Sequence, residues 1–168
     1  SDLQQVQTPI GLLTIYWNNQ EQLSSIVFSQ NLPQLIRIPS VKTEKIPVWL
    51  PYLKEYLIRY FEGQYIPLIV EIPLSMNLTP FQQKVLLALA NIPIGQTRTY
   101  QQVAEMIGSP KAYRAVATAC KSNQHVILLP CHRVVGGKNY YGYNAGQEKK
   151  KWLLEHEKKM IRSEERRV

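Results

Sequence analysis

Cysteine and histidine are scarce in this chain of 168 residues: there are two of the first and three of the second, and none of the five precedes residue 120. Two thiols, Cys120 and Cys131, cannot build the multi-bridge framework of a small secreted domain, and they form no paired Cys-x-x-Cys signature. Together with His125, His132 and His156 they also lack the ligand spacing of a structural zinc site, so neither a metal nor a cofactor is expected. No apolar run approaches the roughly 20 residues needed to cross a bilayer, and no membrane partner is expected. The first residues, Ser1-Asp2-Leu3-Gln4-Gln5, carry neither the basic start nor the apolar core of a signal peptide. The expectation is a reducing, intracellular home: the cytoplasm of a bacterium or archaeon, or the nucleus of a eukaryote.

Acidic residues are the other shortage, and it is local. Residues 1 to 80 carry five Lys/Arg against six Asp/Glu, whereas residues 81 to 168 carry fifteen against six. The net charge of +8 therefore belongs to the second half. Such asymmetry is the electrostatic footprint of a nucleic-acid-binding domain joined to a neutral companion. A solvated basic surface accounts for part of the excess, with Glu148-Lys149-Lys150-Lys151 and the stretch from Lys158 to Val168 as its candidates. The hydrophobic fraction of 45% and charged fraction of 19% are those of a globular protein. The length suffices for one ordinary domain or two small ones.

The pattern of elements predicts an α+β fold: a small N-terminal α/β domain over residues 1–76 with an antiparallel hairpin, then a mostly helical C-terminal domain over residues 77–168. In the first, Ile10 to Tyr16 and Ser25 to Phe28 are β-branched and aromatic runs on either side of the turn-prone Asn18-Asn19. Leu50, Leu53, Leu57 and Phe61 recur at helical spacing, with Gly63 as the stop. No chemical cluster occurs there, so this half reads as scaffold, and 64–77 reads as a linker or crossing segment. In the second, Thr79-Pro80-Phe81-Gln82 and Thr99-Tyr100-Gln101-Gln102 are capping boxes at helix starts. Val85, Leu86 and Leu89 mark the buried face of one helix, and Tyr100, Val103, Ala104 and Ile107 that of the next. Gly108 ends it, and Ser109-Pro110 are expected to start another from Lys111 to about Lys121. Helix, glycine turn and helix together predict a winged-helix-like helix-turn-helix. On the last helix Ala112, Ala115, Val116, Ala119 and Cys120 are expected to face inward, while Arg114, Ala117, Thr118 and Lys121 form either a thin cationic face able to approach a groove closely or, as composition alone slightly favours, the solvated side of an ordinary alanine-rich helix.

After the apolar run Val126-Ile127-Leu128-Leu129 comes Pro130-Cys131-His132-Arg133-Val134, which sets a thiol beside an imidazole and a cation. These neighbours favour the thiolate, the reactive form of cysteine. An isolated cysteine ending an apolar strand is more often inert core. Successive side chains of a strand also point to opposite faces, so only a tight turn at Pro130 brings Cys131 and His132 together.

Pro130-Cys131-His132-Arg133-Val134, Thr79-Pro80-Phe81-Gln82, Gly95-Gln96-Thr97-Arg98-Thr99-Tyr100, Arg114-Ala115-Val116 and Trp152-Leu153-Leu154-Glu155-His156-Glu157 occur in an order and at intervals that resemble the O6-alkylguanine-DNA alkyltransferases. The likeness is dense over residues 79–157 and looser over 8–63, through Thr8-Pro9-Ile10-Gly11 and Phe61-Glu62-Gly63. The resemblance implies a transfer of an alkyl group from guanine O6, and in some cases thymine O4, directly onto Cys131. It implies His132 as a general base acting through water, Glu157 as the acid that orients it, Asn123 as a holder of the network, and Tyr143 as a hydrogen-bond donor to the leaving guanine. It assigns DNA contacts to Thr99, Tyr100, Gln101, Ala112, Arg114, Ala115 and Lys121, and a substrate pocket to Tyr100, Val134, Tyr143 and Asn144. The partner it implies is double-stranded DNA, bound in the minor groove with weak sequence preference by a monomer. Arg114 would replace a flipped nucleotide in the stack, and Tyr100 would press on the adjacent phosphate.

The chain departs from the family pattern at Tyr113, where a small residue is common, at Ala117-Thr118, which replace glycines, and at Ala145-Gly146-Gln147 in the pocket loop. A cysteine hydrolase could use similar groups, but an alkyl thioether, unlike an acyl thioester, has no carbonyl for water to attack, so the cysteine is spent. Two other classes share parts of the pattern. One is a non-catalytic sensor of alkylated DNA, in which the nucleophile is usually replaced. The other is a helix-turn-helix transcription regulator, which reads the major groove with polar side chains, unlike the alanine-rich helix here.

Overall fold

The computed structural model describes residues 2–29, 45–136 and 145–166. The chain divides into two compact units, residues 1–75 and 76–168. No helix among the described residues is long and apolar enough to cross a membrane.

In the first unit β1 (Asp2–Thr8), β2 (Gly11–Trp17) and β3 (Leu23–Phe28) form an antiparallel sheet in sequence order. β2 and β3 are the anticipated hairpin, whereas β1 is an addition that a polar sequence rich in glutamine concealed. Its inner face rests on Val6 and Thr8. Thr8 also shapes the turn into β2: its hydroxyl donates to the Gly11 carbonyl and accepts the Ile10 N–H. At the next turn the Asn18 side-chain carbonyl accepts from the N–H groups of Gln20 and Gln22.

Helix α1 (Leu50–Phe61) lies against β1 and buries Leu50, Leu53, Leu57 and Tyr60. Tyr60, and not Phe61, completes the buried stripe: the two positions flank the face of Leu50, Leu53 and Leu57 about equally, and it is Tyr60 that is buried while Phe61 is half-buried. Trp49 meets Trp17 edge to face at 6.5 Å and donates its indole N–H to the Glu21 carbonyl at 2.7 Å. The segment read as a linker is partly docked: Leu23 donates to Pro73 and accepts from Ser75, a parallel bridge beside β3.

The second unit contains α2 (Pro80–Leu89), β4 (Arg98–Thr99), α3 (Tyr100–Met106), α4 (Tyr113–Lys121), a 3₁₀ turn (Cys131–Arg133), β5 (Val134–Val135) and α5 (Gln147–Glu165). Both capping boxes are reciprocal: Thr79 with Gln82 opens α2, and Thr99 with Gln102 opens α3. Such caps satisfy backbone donors that a helix start leaves open. The α3 helix ends in a Schellman motif, with Gly108 N–H on Glu105 O, Ser109 N–H on Ala104 O, and Gly108 at φ +76°.

The next helix begins later than Ser109-Pro110 suggested. Residues 109–112 remain in turn, Ala112 is the N-cap without a side-chain cap bond, and α4 starts at Tyr113. With that start, Val116, Ala119 and Cys120 form the buried face, joined by Asn123. Ala115 is exposed and Ala112 half-buried, so neither belongs to the inward stripe.

β4 and β5 pair in parallel, Arg98 with Val134 and Thr99 with Val135, which ties the start of α3 to the chain just after Cys131. The last helix reaches the same region from behind. Ile161 of α5 lies so close to Gly95, which has φ +86°, that a Cβ there would stand 2.5 Å from the isoleucine Cγ1.

A candidate alkyl-acceptor site at Cys131

The apolar run before Cys131 is not a strand. Val126, Ile127 and Leu129 are buried in a succession of turns, and Ile127 takes φ +72°, a left-handed conformation that a β-branched residue rarely adopts. Asn123 holds that path. Its side-chain carbonyl accepts the His125 N–H at 2.9 Å, and its amide nitrogen donates to Leu129 O at 2.7 Å and to Cys131 Sγ at 3.0 Å. One side chain thus closes the loop from 123 to 131 and reaches the sulfur. Strain of the kind seen at Ile127 costs about 1–3 kcal/mol and persists only where surrounding bonds over-determine it.

Pro130 then leads into the 3₁₀ turn, which places Cys131, His132 and Arg133 all in the interior. Glu157, on the buried face of α5, meets this turn. His132 Nε2 lies 2.6 Å from Glu157 Oε2. Arg133 donates through Nε to Oε1 at 2.8 Å and through Nη2 to Oε2 at 3.0 Å, and its Nη1 donates to Ile92 O at 2.7 Å. The carboxylate is bidentate to arginine and shared with histidine, and both His132 and Glu157 are fully excluded from solvent.

The protonation states follow from these contacts. Burial alone would raise the Glu157 carboxyl, but His132 and Arg133 outweigh it and hold the group well below the usual carboxylate range. Burial lowers the His132 imidazole against the pull of Glu157, so the ring is neutral, donates Nε2–H to the carboxylate and is able to accept a proton. The Cys131 thiol is pushed up to about 11 by burial, opposed by the Asn123 hydrogen bond and by Lys150. The resting sulfur is therefore a sheltered thiol beside a neutral base, not the standing thiolate that the motif alone suggests. Burial also holds Tyr100 as a phenol, its pKa pushed up to about 12. Cys120, pushed up to about 12 by burial, is the inert one of the pair.

The residues named for DNA contact are distributed differently. Arg114 is exposed on α4, with its guanidinium 5.7 Å from the Tyr113 ring centre, and Lys121 is exposed at the same helix's end. Thr99 is committed to its cap, and Gln101 donates to the Pro110 carbonyl at 2.7 Å, where it braces the turn of the helix-turn-helix. Val134 is completely buried and presents its carbonyl to Lys150 rather than to an open pocket. Tyr143 and Asn144 lie outside the described residues. His156 stacks on Trp152, with ring centres 4.6 Å apart.

A model of the 6-O-methylguanine DNA methyltransferase DNA-binding domain matches residues 80–159. A probable methylated-DNA–protein-cysteine methyltransferase of Acanthamoeba polyphaga mimivirus is 43% identical over 92% of this chain and 95% of its own length. This chain belongs to the methylated-DNA–protein-cysteine methyltransferase family. The enzyme of that name from Shigella flexneri is 37% identical over 92% of the chain and 94% of its own length. Among solved structures, Mycobacterium tuberculosis OGT in complex with DNA is similar with a TM-score of 0.76 and 34% identity, over 95% of this chain and 94% of that one. Asn123, Cys131, His132, Arg133 and Glu157 all fall within the segment that the methyltransferase model matches.

Two members of the cluster stand otherwise than the sequence suggests. Arg133, read as a cation that favours the thiolate, is spent on Glu157, and Lys150, grouped with solvated lysines, is 1% exposed. The signal for Lys150 was helical period: with Leu153, Leu154 and Glu157 it forms the inward stripe of α5.

Removing Glu157 leaves the Arg133 charge buried and unpaired, so Glu157→Ala is expected to cost about 3–5 kcal/mol in a urea melt at pH 7. The carboxyl's folded pKa is depressed below its ordinary 4.5, so its contribution is full above that pH and is lost as pH falls through and below it. The stability gap between the native protein and Glu157→Gln should narrow as the pH is lowered from 4.5. A gap that stays constant down to the acid transition contradicts this account.

Proposed function

We propose that the protein repairs DNA by direct reversal, transferring an alkyl group from guanine O6 to Cys131 Sγ once per molecule. The observation that carries this reading is the buried Cys131, gripped by Asn123 and backed by the His132–Glu157–Arg133 cluster, inside the segment matched by the family model. The thiol proton passes through water to neutral His132, where Glu157 stabilises the imidazolium that forms. The sulfur–carbon bond forms as the carbon–oxygen bond breaks, and the departing guanine takes up a proton from its hydrogen-bond donor, which the proton held on His132 then restores. Tyr100, held as a phenol, is a hydrogen-bond donor for the leaving base, alongside the expected Tyr143. The thioether product offers water no carbonyl, so no step regenerates the thiol. O4-alkylthymine presents the same kind of carbon and is a second substrate on this reading.

A base within a duplex must leave the stack to reach a buried sulfur. We infer that α4 provides the means: Arg114 fills the vacated position, small Ala112 and Ala115 permit close approach to the minor groove, and Lys121 meets phosphate. Tyr100 presses on the neighbouring phosphate. One copy of the chain suffices, and a reducing compartment keeps both thiols free.

Intact mass after incubation with a duplex containing O6-methylguanine tests the chemistry. A gain of one methyl group, absent in Cys131→Ala, is expected; tight binding with no mass change would instead make the protein a sensor. Arg114→Ala should slow repair of the duplex far more than reaction with free O6-alkylguanine, measured as rates of protein alkylation. Equal slowing of both counts against the role given to Arg114.

A further inference from the structure

The proposed chemistry leaves one buried charged side chain unused. Lys150, in the first turns of α5, is 1% exposed and donates its Nζ to the Val134 carbonyl at 2.6 Å. Val134 in turn donates its N–H to the Cys131 carbonyl, which closes the 3₁₀ turn. The lysine therefore grips the residue that completes the turn carrying the sulfur. Burying an ammonium is costly, and an apolar side chain of similar length would fill the position more cheaply if packing were its only task.

Several titratable groups surround the sulfur. Tyr100 faces it from α3 and Cys120 from α4, both protonated, so neither supplies positive charge. His132 is neutral, and the Arg133 charge is consumed by Glu157. Lys150 faces it from α5, and among the described residues it is the cation that acts on Cys131. Burial in turn lowers Lys150, and a thiolate forming at Cys131 would oppose that loss.

We propose that Lys150 is a positioning residue for alkyl transfer, its ammonium anchored on the Val134 carbonyl so as to hold the Cys131 turn and to steady the thiolate as it forms. This rests on Cys131 being the nucleophile of the reaction proposed above. No bond to Lys150 is made or broken, and the thiol proton still goes to His132.

The test needs neither DNA nor an alkylated base. Iodoacetamide modification of Cys131 at pH 8, followed by peptide mass mapping, should slow by about tenfold or more in Lys150→Met, the effect of about one pKa unit on a thiol well below its own pKa. A Lys150→Met protein that melts cooperatively and reacts within about twofold of the native rate overturns the proposal, since tenfold is what one unit commands. A second readout is the pH profile of the same modification. Between about pH 7 and 10 the Cys131 rate should rise at higher pH in Lys150→Met than in the native protein, because the ammonium that favours the thiolate is gone. Superimposable profiles overturn the proposal as well. Failure in either experiment leaves the repair reading standing, because the mass gain on methylated DNA does not depend on Lys150 being the cation. Failure of the repair reading leaves both of these measurements interpretable.

Discussion

The carboxylate of Glu157 is the point on which the second unit depends. It lies 24 residues beyond Arg133 in the sequence and binds that side chain twice, while its Oε2 also reaches His132. Without a cation, a carboxylate in this position would be pushed towards neutrality by desolvation. With Arg133 it stays ionised, and an ionised Glu157 orients a neutral His132 by accepting its Nε2–H. Arg133 extends the same constraint to Ile92, so the turn after α2, the thiol-bearing turn and α5 are locked as one piece. A cluster of this kind is not cheap stability, since a well-packed apolar replacement is often as stable. What it supplies is a fixed proton arrangement beside a sulfur.

The sulfur itself is kept in reserve. Desolvation sets Cys131 high, and the Asn123 amide and the Lys150 ammonium draw it part of the way back. A group spent by its own reaction gains from such shelter, because a standing thiolate would be consumed by any passing electrophile. Reaction then requires two conditions to be met together: a carbon presented inside the pocket and a proton taken by His132. The neutral imidazole is ready for the second, and in the proposed function α4 with Arg114 provides the first.

Much of this arrangement is legible in the sequence, and the division has a physical basis. The capping boxes at Thr79 and Thr99 and the glycine stop at Gly108 are local, set by bonds within a few residues, and the structure contains each of them. The family resemblance brought Glu157 and Asn123 to the sulfur, which spacing alone could not do. What sequence reasoning missed depends on distant partners or on a weak pattern. β1 is polar at Gln4, Gln5 and Gln7 and becomes a strand by pairing with β2. The Val126–Leu129 run looks like a strand but is bent into turns by the Asn123 side chain. Ser109 and Pro110 carry a helix-start signal, yet the Schellman closure of α3 uses the Ser109 N–H and delays α4 until Tyr113. Lys150 sat in a lysine run, and only its phase with Leu153, Leu154 and Glu157 showed that it turns inward.

The central claim is that Cys131 is an acceptor consumed by one reaction. The most direct measurement is a stoichiometry titration: a fixed amount of protein, an increasing excess of duplex bearing radiolabelled O6-methylguanine, and the label counted on the protein and on the DNA. The account predicts that repair stops when one equivalent of label is bound to Cys131, however much substrate remains. Continued repair beyond one equivalent contradicts it.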